Sequence, residues 1–214
     1  MTAVYCSSMV IPVLAQNESG YVTFGKSLYG ASIKHPADWE VKDSDRTTRG
    51  VGYDIIASIC PKSMLEYPSE YSPDFSLCPN INEVLVATAN LPKNATMEEY
   101  ISYIQASQKF SYTSYKQENL SDFVIAGLPG KKLVYTYFGD YKHQGEFIKG
   151  LQVILLSGNK TYEIRYESPQ LQFDDLLPTV EQMISSLKIF PMPPCNFVRQ
   201  ANDTIYEGKC VLKP

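Results

Sequence analysis

The stretch "GEFIKGLQVILLSGNKTYEIRYES", residues 145–168, constrains the fold more than any other part of the chain. From Leu151 to Leu156 both faces of the strand alternation are apolar, which marks a strand covered on both sides. Ser157-Gly158-Asn159-Lys160 then supplies a hairpin turn. Beyond it Tyr162, Ile164 and Tyr166 face one way while Glu163 and Arg165 face the other. A strand buried on two faces needs a layer of structure on each side of its sheet.

The rest of the chain supplies those layers. Tyr21–Phe24, Leu28–Lys34, a segment opening at Trp39, Val51–Ile59, Ile81–Leu91, Phe123–Ile125 and "KKLVYTYF" read as further strands, with a His35-Pro36 turn before Trp39. In "NATMEEYISYIQASQKF" the period changes: Met97, Tyr100, Ile101 and Ile104 fall on one helical face, and Thr96 with Glu99 forms a capping box. Phe173, Leu176, Leu177, Val180, Ile184 and Leu187 keep a second helical stripe, with Pro178 either kinking it or marking its first turn. The expected class is α+β: a central antiparallel sheet sandwiched between helices in an α/β/α arrangement. The expected organisation is a segment 1–15, a domain 16–190 with an insert loop 61–77, and a tail 191–214.

Composition narrows the compartment and the partners. With 214 residues and a net charge of -4, and no basic run longer than Lys131-Lys132, the chain lacks the positive stripe that nucleic acid requires. Met9–Ala15 is a short apolar run with a small-residue end, suited to signal cleavage before Gln16, although no Lys or Arg precedes Lys26 to form a basic leader. The run is far shorter than the roughly 20 residues of a membrane-spanning helix. Removing Cys6 with that segment leaves Cys60, Cys78, Cys195 and Cys210, an even set expected to form disulfides. Four cysteines allow three connectivities. Their placement favours Cys60–Cys78, stapling the base of a proline-rich loop, and Cys195–Cys210, closing the C-terminal tail. Asn17, Asn94, Asn119, Asn159 and Asn202 each head an N-x-[ST] triplet, more sites than chance provides. All three features point to an extracytoplasmic protein.

Catalytic chemistry is sparse. His35, Pro36 and Trp39 read as a turn and a core plug, and His143 sits in a polar turn. The pairs Glu98-Glu99 and Asp174-Asp175 suit helix N-termini. Nucleophile elbows, phosphate-binding loops and metal-ligand spacings do not occur, so no enzyme, metal or cofactor is expected. Tyr67, Tyr71, Tyr112 and Tyr115 form the candidate aromatic binding surface.

Three segments in order resemble the PsbP-like family. "YGASIKHPADWEV" resembles the segment that opens these domains, "GLPGKKLVYTYF" their central glycine turn and strand, and "LPTVEQMISSLKIF" their closing helix. The resemblance spans Tyr21 to Phe190. It implies an antiparallel sheet sandwiched by helices and an extrinsic, accessory character. Founding members of the family are lumenal subunits of photosystem II that help to retain its inorganic cofactors; other relatives are exported microbial proteins, and a nuclear-import regulator shares the fold. No position here matches a metal-binding motif, and no chloroplast transit peptide is evident. The expectation is therefore a non-enzymatic binding domain at the outer face of a membrane or envelope, its partner a membrane-bound or envelope protein. The alternatives are a calcium- or manganese-associated photosystem II subunit and an uncharacterised enzyme, which would require a cleft converging on His35 or His143.

Overall fold

The structure is a computed structural model that describes residues 20–26, 29–43, 53–64, 82–139 and 145–190. Its strands are β1 (Tyr21–Lys26), β2 (Ala31–Pro36), β3 (Trp39–Asp43), β4 (Tyr53–Pro61), β5 (Glu83–Asn90), β6 (Thr113–Ile125), β7 (Leu128–Phe138), β8 (Phe147–Ser157), β9 (Lys160–Pro169) and β10 (Lys188–Ile189). The helices are α1 (Met97–Ser111) and α2 (Phe173–Ser185). Seven strands form one antiparallel sheet in the order β3-β4-β5-β9-β8-β7-β6, and β1-β2-β10 form a smaller one.

The β8–β9 hairpin turns at Gly158-Asn159, as its sequence predicts, and sits in the middle of the large sheet. On one face Tyr162, Ile164 and Tyr166 join Leu151, Val153, Val84, Val86 and Trp39 in a single apolar core. Helix α2 closes that core with Phe173, Val180, Met183 and Ile184, and β2 adds Ala31 and Ile33 from the small sheet. A hydrogen bond from Lys34 N–H to Ser186 Oγ at 2.8 Å ties β2 to the end of α2. Pro178 lies inside α2 rather than in its first turn, so the helix forgoes one backbone bond there and depends on its buried face.

The opposite face is built differently. Leu133, Tyr135, Tyr137 and Ile148 form a smaller cluster, against which Ile104 of α1 packs. Tyr135 stands directly across from Gly150, and a Cβ there would collide with the Tyr135 ring. The glycine lets an aromatic ring lie flat on the neighbouring strand. The capping box of α1 is present: Glu99 N–H donates to Thr96 Oγ1 at 3.2 Å and Thr96 N–H donates to Glu99 Oε2 at 2.9 Å.

Two sequence expectations shift. Strand β2 runs through His35 and Pro36, and the turn falls at Ala37-Asp38, because His35 pairs with Val22 before the chain leaves the small sheet. Strand β6 starts ten residues before Phe123; its outward positions are polar because it is the sheet edge, which erases the apolar alternation. Residues 65–81 and 191–214, with Tyr67, Tyr71, Cys78, Cys195 and Cys210, lie outside the described residues.

Trp39 is 6% exposed within the main core. Trp39→Ala is expected to cost about 3–5 kcal/mol in urea unfolding, and Gly150→Ala about 1–3 kcal/mol through overpacking against Tyr135. A Gly150→Ala protein as stable as wild type would show that the ring does not occupy the space over β8.

Candidate functional site

The charged positions of β9 build the site. Glu163, Arg165 and Glu167 alternate with the core-facing Tyr162, Ile164 and Tyr166, so all three project beneath α1. Charges on a central strand need partners once removed from water, and here tyrosines and glutamines supply them. The Tyr100 hydroxyl donates to Glu163 Oε1, and Gln152 Nε2 donates to Glu163 Oε2 at 2.8 Å. Gln108 Nε2 donates to Gln152 Oε1 at 2.9 Å, and the Tyr115 hydroxyl donates to Gln108 Oε1 at 2.9 Å. This relay crosses from β6 through α1 and β8 to β9 and back to α1.

Glu167 anchors a second group. It accepts hydroxyl hydrogens from Tyr135 at 2.6 Å, Tyr112 at 3.2 Å and Tyr137 at 3.4 Å. The rings stack as well, Tyr112 on Tyr137 at 4.0 Å and an interplanar angle of 9°. Burial pushes the Tyr135, Tyr137 and Tyr100 hydroxyls well above the ordinary phenol range, and the neighbouring carboxylates Glu167 and Glu163 push the same way. All three remain protonated donors. Tyr112 and Tyr115 are half-buried members of this stack, and Tyr112 also lines the cleft between α1 and β5.

Between α1 and β5 lies a cleft of about 890 Å³. Its floor carries Leu85, Ala87 and Ala89 of β5, and the two alanine methyls leave the depth. Arg165, Glu163 and Gln152 also line it, as do Tyr100 and Tyr103 of α1. The volume falls within the range of small-ligand sites.

The other candidates fall elsewhere. His35 is buried in β2, where its Nδ1–H donates to the Pro36 carbonyl at 2.9 Å; burial holds its pKa below the ordinary value, and nearby Lys62 acts the same way. It is a neutral core histidine. His143 lies outside the described residues. Cys60 is fully buried in β4 and disulfide-bonded, while Cys78, Cys195 and Cys210 lie outside the described residues. Asn94, Asn119 and Asn159 are all exposed, while Asn17 and Asn202 lie outside the described residues. Among the described residues no group of three His, Cys, Asp or Glu side chains could hold a metal ion. Sequence reasoning missed Gln108 and Gln152, yet each is a lone amide among positions that its own periodicity buries.

Comparison with known proteins places the fold. No protein-family model matches the chain, and no curated protein matches it in sequence. Among solved structures it is similar to cyanobacterial PsbP (CyanoP) from Synechocystis sp. PCC 6803, with a TM-score of 0.55 and 11% identity over 84% of this chain and 99% of that one. It is also similar to LpqN, involved in cell envelope biogenesis of Mycobacterium tuberculosis (TM-score 0.49, 11% identity, 75% and 83% covered). A further similarity is to the Ran-binding protein Mog1p of Saccharomyces cerevisiae (TM-score 0.46, 9% identity, 79% and 95% covered). The fold is PsbP-like.

Glu83 gives the site a pH signature. It stands directly across the ladder from Glu167, and its Oε1 is buried with no hydrogen-bond partner among the described residues. Burial raises its pKa above the ordinary 4.5, with Glu167 adding to the rise and Ser58 and Arg165 opposing it. A raised carboxyl pKa stabilises the fold below about pH 4.5, and that contribution is lost as the pH rises. Glu83→Gln is therefore expected to match wild type in thermal stability near pH 4 and to exceed it at pH 8. An equal or lower melting temperature at pH 8 would show that the carboxyl ionises without penalty.

Proposed function

We propose that this chain is a non-enzymatic, PsbP-like accessory domain that acts at the outer face of a membrane or cell envelope and binds its ligand or partner in the cleft under α1. The cleft carries the reading. It is large enough for a ligand, and its side chains are fixed by the relay from Tyr115 to Tyr100, so little ordering remains to oppose binding. Its ionisable groups are engaged in that scaffold rather than arranged as a nucleophile and base: both Glu163 oxygens accept hydrogen bonds, and the tyrosines stay protonated.

Three observations favour an extracytoplasmic setting. Cys60 is in a disulfide, which oxidising compartments maintain. The described acceptor asparagines Asn94, Asn119 and Asn159 are exposed and open to modification. The Met9–Ala15 run suits a cleaved export signal. No helix among the described residues is long and apolar enough to cross a membrane.

The test is the intact mass of protein purified from its native host, before and after reduction and alkylation. Loss of the segment before Gln16, mass gains matching Cys60–Cys78 and Cys195–Cys210 pairs, and recovery with the envelope fraction are expected. An untrimmed chain with free thiols, recovered with the cytosol, would contradict the reading.

A further inference from the structure

We propose that the cleft under α1 is a site for an uncharged oligosaccharide. The inference rests on the cleft being the protein's binding site, and it names the ligand class. The first ground is charge: Arg165 and Lys93 are balanced by Glu163 and Glu99, so the lining has no net sign to select an anion or a cation. Both carboxylates are already engaged within the protein, Glu163 by Tyr100 and Gln152, and Glu99 by the helix cap. A cationic ligand would have to break those bonds, and an anionic one would have to draw Arg165 from Glu167, whose carboxylate lies 3.9 Å from its Nε.

The second ground is the character of the walls. Nine of the twenty lining residues are uncharged hydrogen-bonding side chains, set among an apolar floor and rim. Amides and hydroxyls both donate and accept, as the hydroxyls of a sugar do. Gln108 and Gln152 each use one of two N–H donors in the relay. A long acyl chain would need a continuous apolar lining, which these groups interrupt.

The third ground is shape. The α1 positions Glu99, Tyr103, Ser107 and Ser111 repeat every four residues along the rim, so the slot runs about 18 Å beside the helix. On this wall Tyr103, 53% exposed, lies near-parallel to Tyr100 with ring centroids 6.3 Å apart. Ring faces of this kind receive the C–H faces of sugar rings, opposite the planar amide, guanidinium and carboxylate groups on β8 and β9. A peptide adding as a strand has no free edge here, because β5 is paired on both sides by β4 and β9.

The experiment titrates the full chain by calorimetry with neutral hexasaccharides of glucose, mannose and N-acetylglucosamine, alongside hexagalacturonate and a blocked, uncharged peptide mixture. At least one neutral hexasaccharide should bind saturably, with affinity unchanged between about 50 mM and 500 mM salt. Tyr103→Ala should weaken it about tenfold or more. Ser107→Trp, which fills the slot from the exposed side of α1, should abolish it while the circular dichroism and melting temperature are retained. Ser111→Trp serves the same purpose if Ser107→Trp does not fold.

Absence of binding by all three neutral sugars, tighter binding of hexagalacturonate, or sugar binding that survives the plugged slot overturns the assignment. If the peptide mixture binds and the plug removes it, the sugar class fails while the cleft stands as the binding site. If the plugged protein still partitions with the host envelope as wild type does, and no probe distinguishes it from wild type, the cleft reading fails as well.

Discussion

The structure depends on how β9 divides its side chains. Tyr162, Ile164 and Tyr166 go to one face of the central sheet, and Glu163, Arg165 and Glu167 to the other. A shift of one residue in the pairing with β5 and β8 would put three charges into the apolar core and three large side chains beneath α1. The register is therefore fixed by both faces at once. What the two helices can do follows from which face each one covers. Helix α2 brings Val180, Met183 and Ile184 to an apolar core, and α1 brings Tyr100 and Gln108 to the polar groups of β8 and β9.

Stability and recognition are thereby separated across one sheet. The α2 face contains the large aliphatic and aromatic side chains whose burial drives folding, at roughly 1.5–3 kcal/mol for each fully buried side chain. The α1 face holds carboxylates whose desolvation is costly unless every oxygen finds a donor. Phenols and amides provide those donors and also fix the geometry of the cleft walls. Glu83, whose Oε1 lacks a hydrogen-bond partner among the described residues, is the point on this face where desolvation is least compensated. The PsbP-like fold supplies the two-faced sheet, but the function it serves must come from the residues placed on it.

Much of the architecture was legible because periodicity reports burial. The hairpin at Gly158-Asn159, the capping box at Thr96 and Glu99, and Trp39 as a core residue all follow from local chemistry that the tertiary structure does not override. The site was harder to read. Glu163 and Arg165 look like a solvated strand face until α1 is placed over them, and no local signal records that crossover. Tyr112 and Tyr115 were visible as aromatic residues, but their stacking on Tyr135 and Tyr137 depends on β6 pairing with β7. The other half of the expected aromatic surface, Tyr67 and Tyr71, lies outside the described residues. Gln152 was the most informative residue passed over: an amide inside an apolar strand has to be hydrogen-bonded to something.

The division of labour between the two faces is tested most directly by native-state hydrogen exchange under increasing denaturant. The backbone amides of β8, β9 and α2 should exchange only through global unfolding. Those of α1 from Ile101 to Gln108 should open at a lower free energy as a separate unit, because that helix rests on few buried apolar side chains. Exchange of α1, α2 and the central strands in a single event of equal free energy would contradict the separation of stability from recognition.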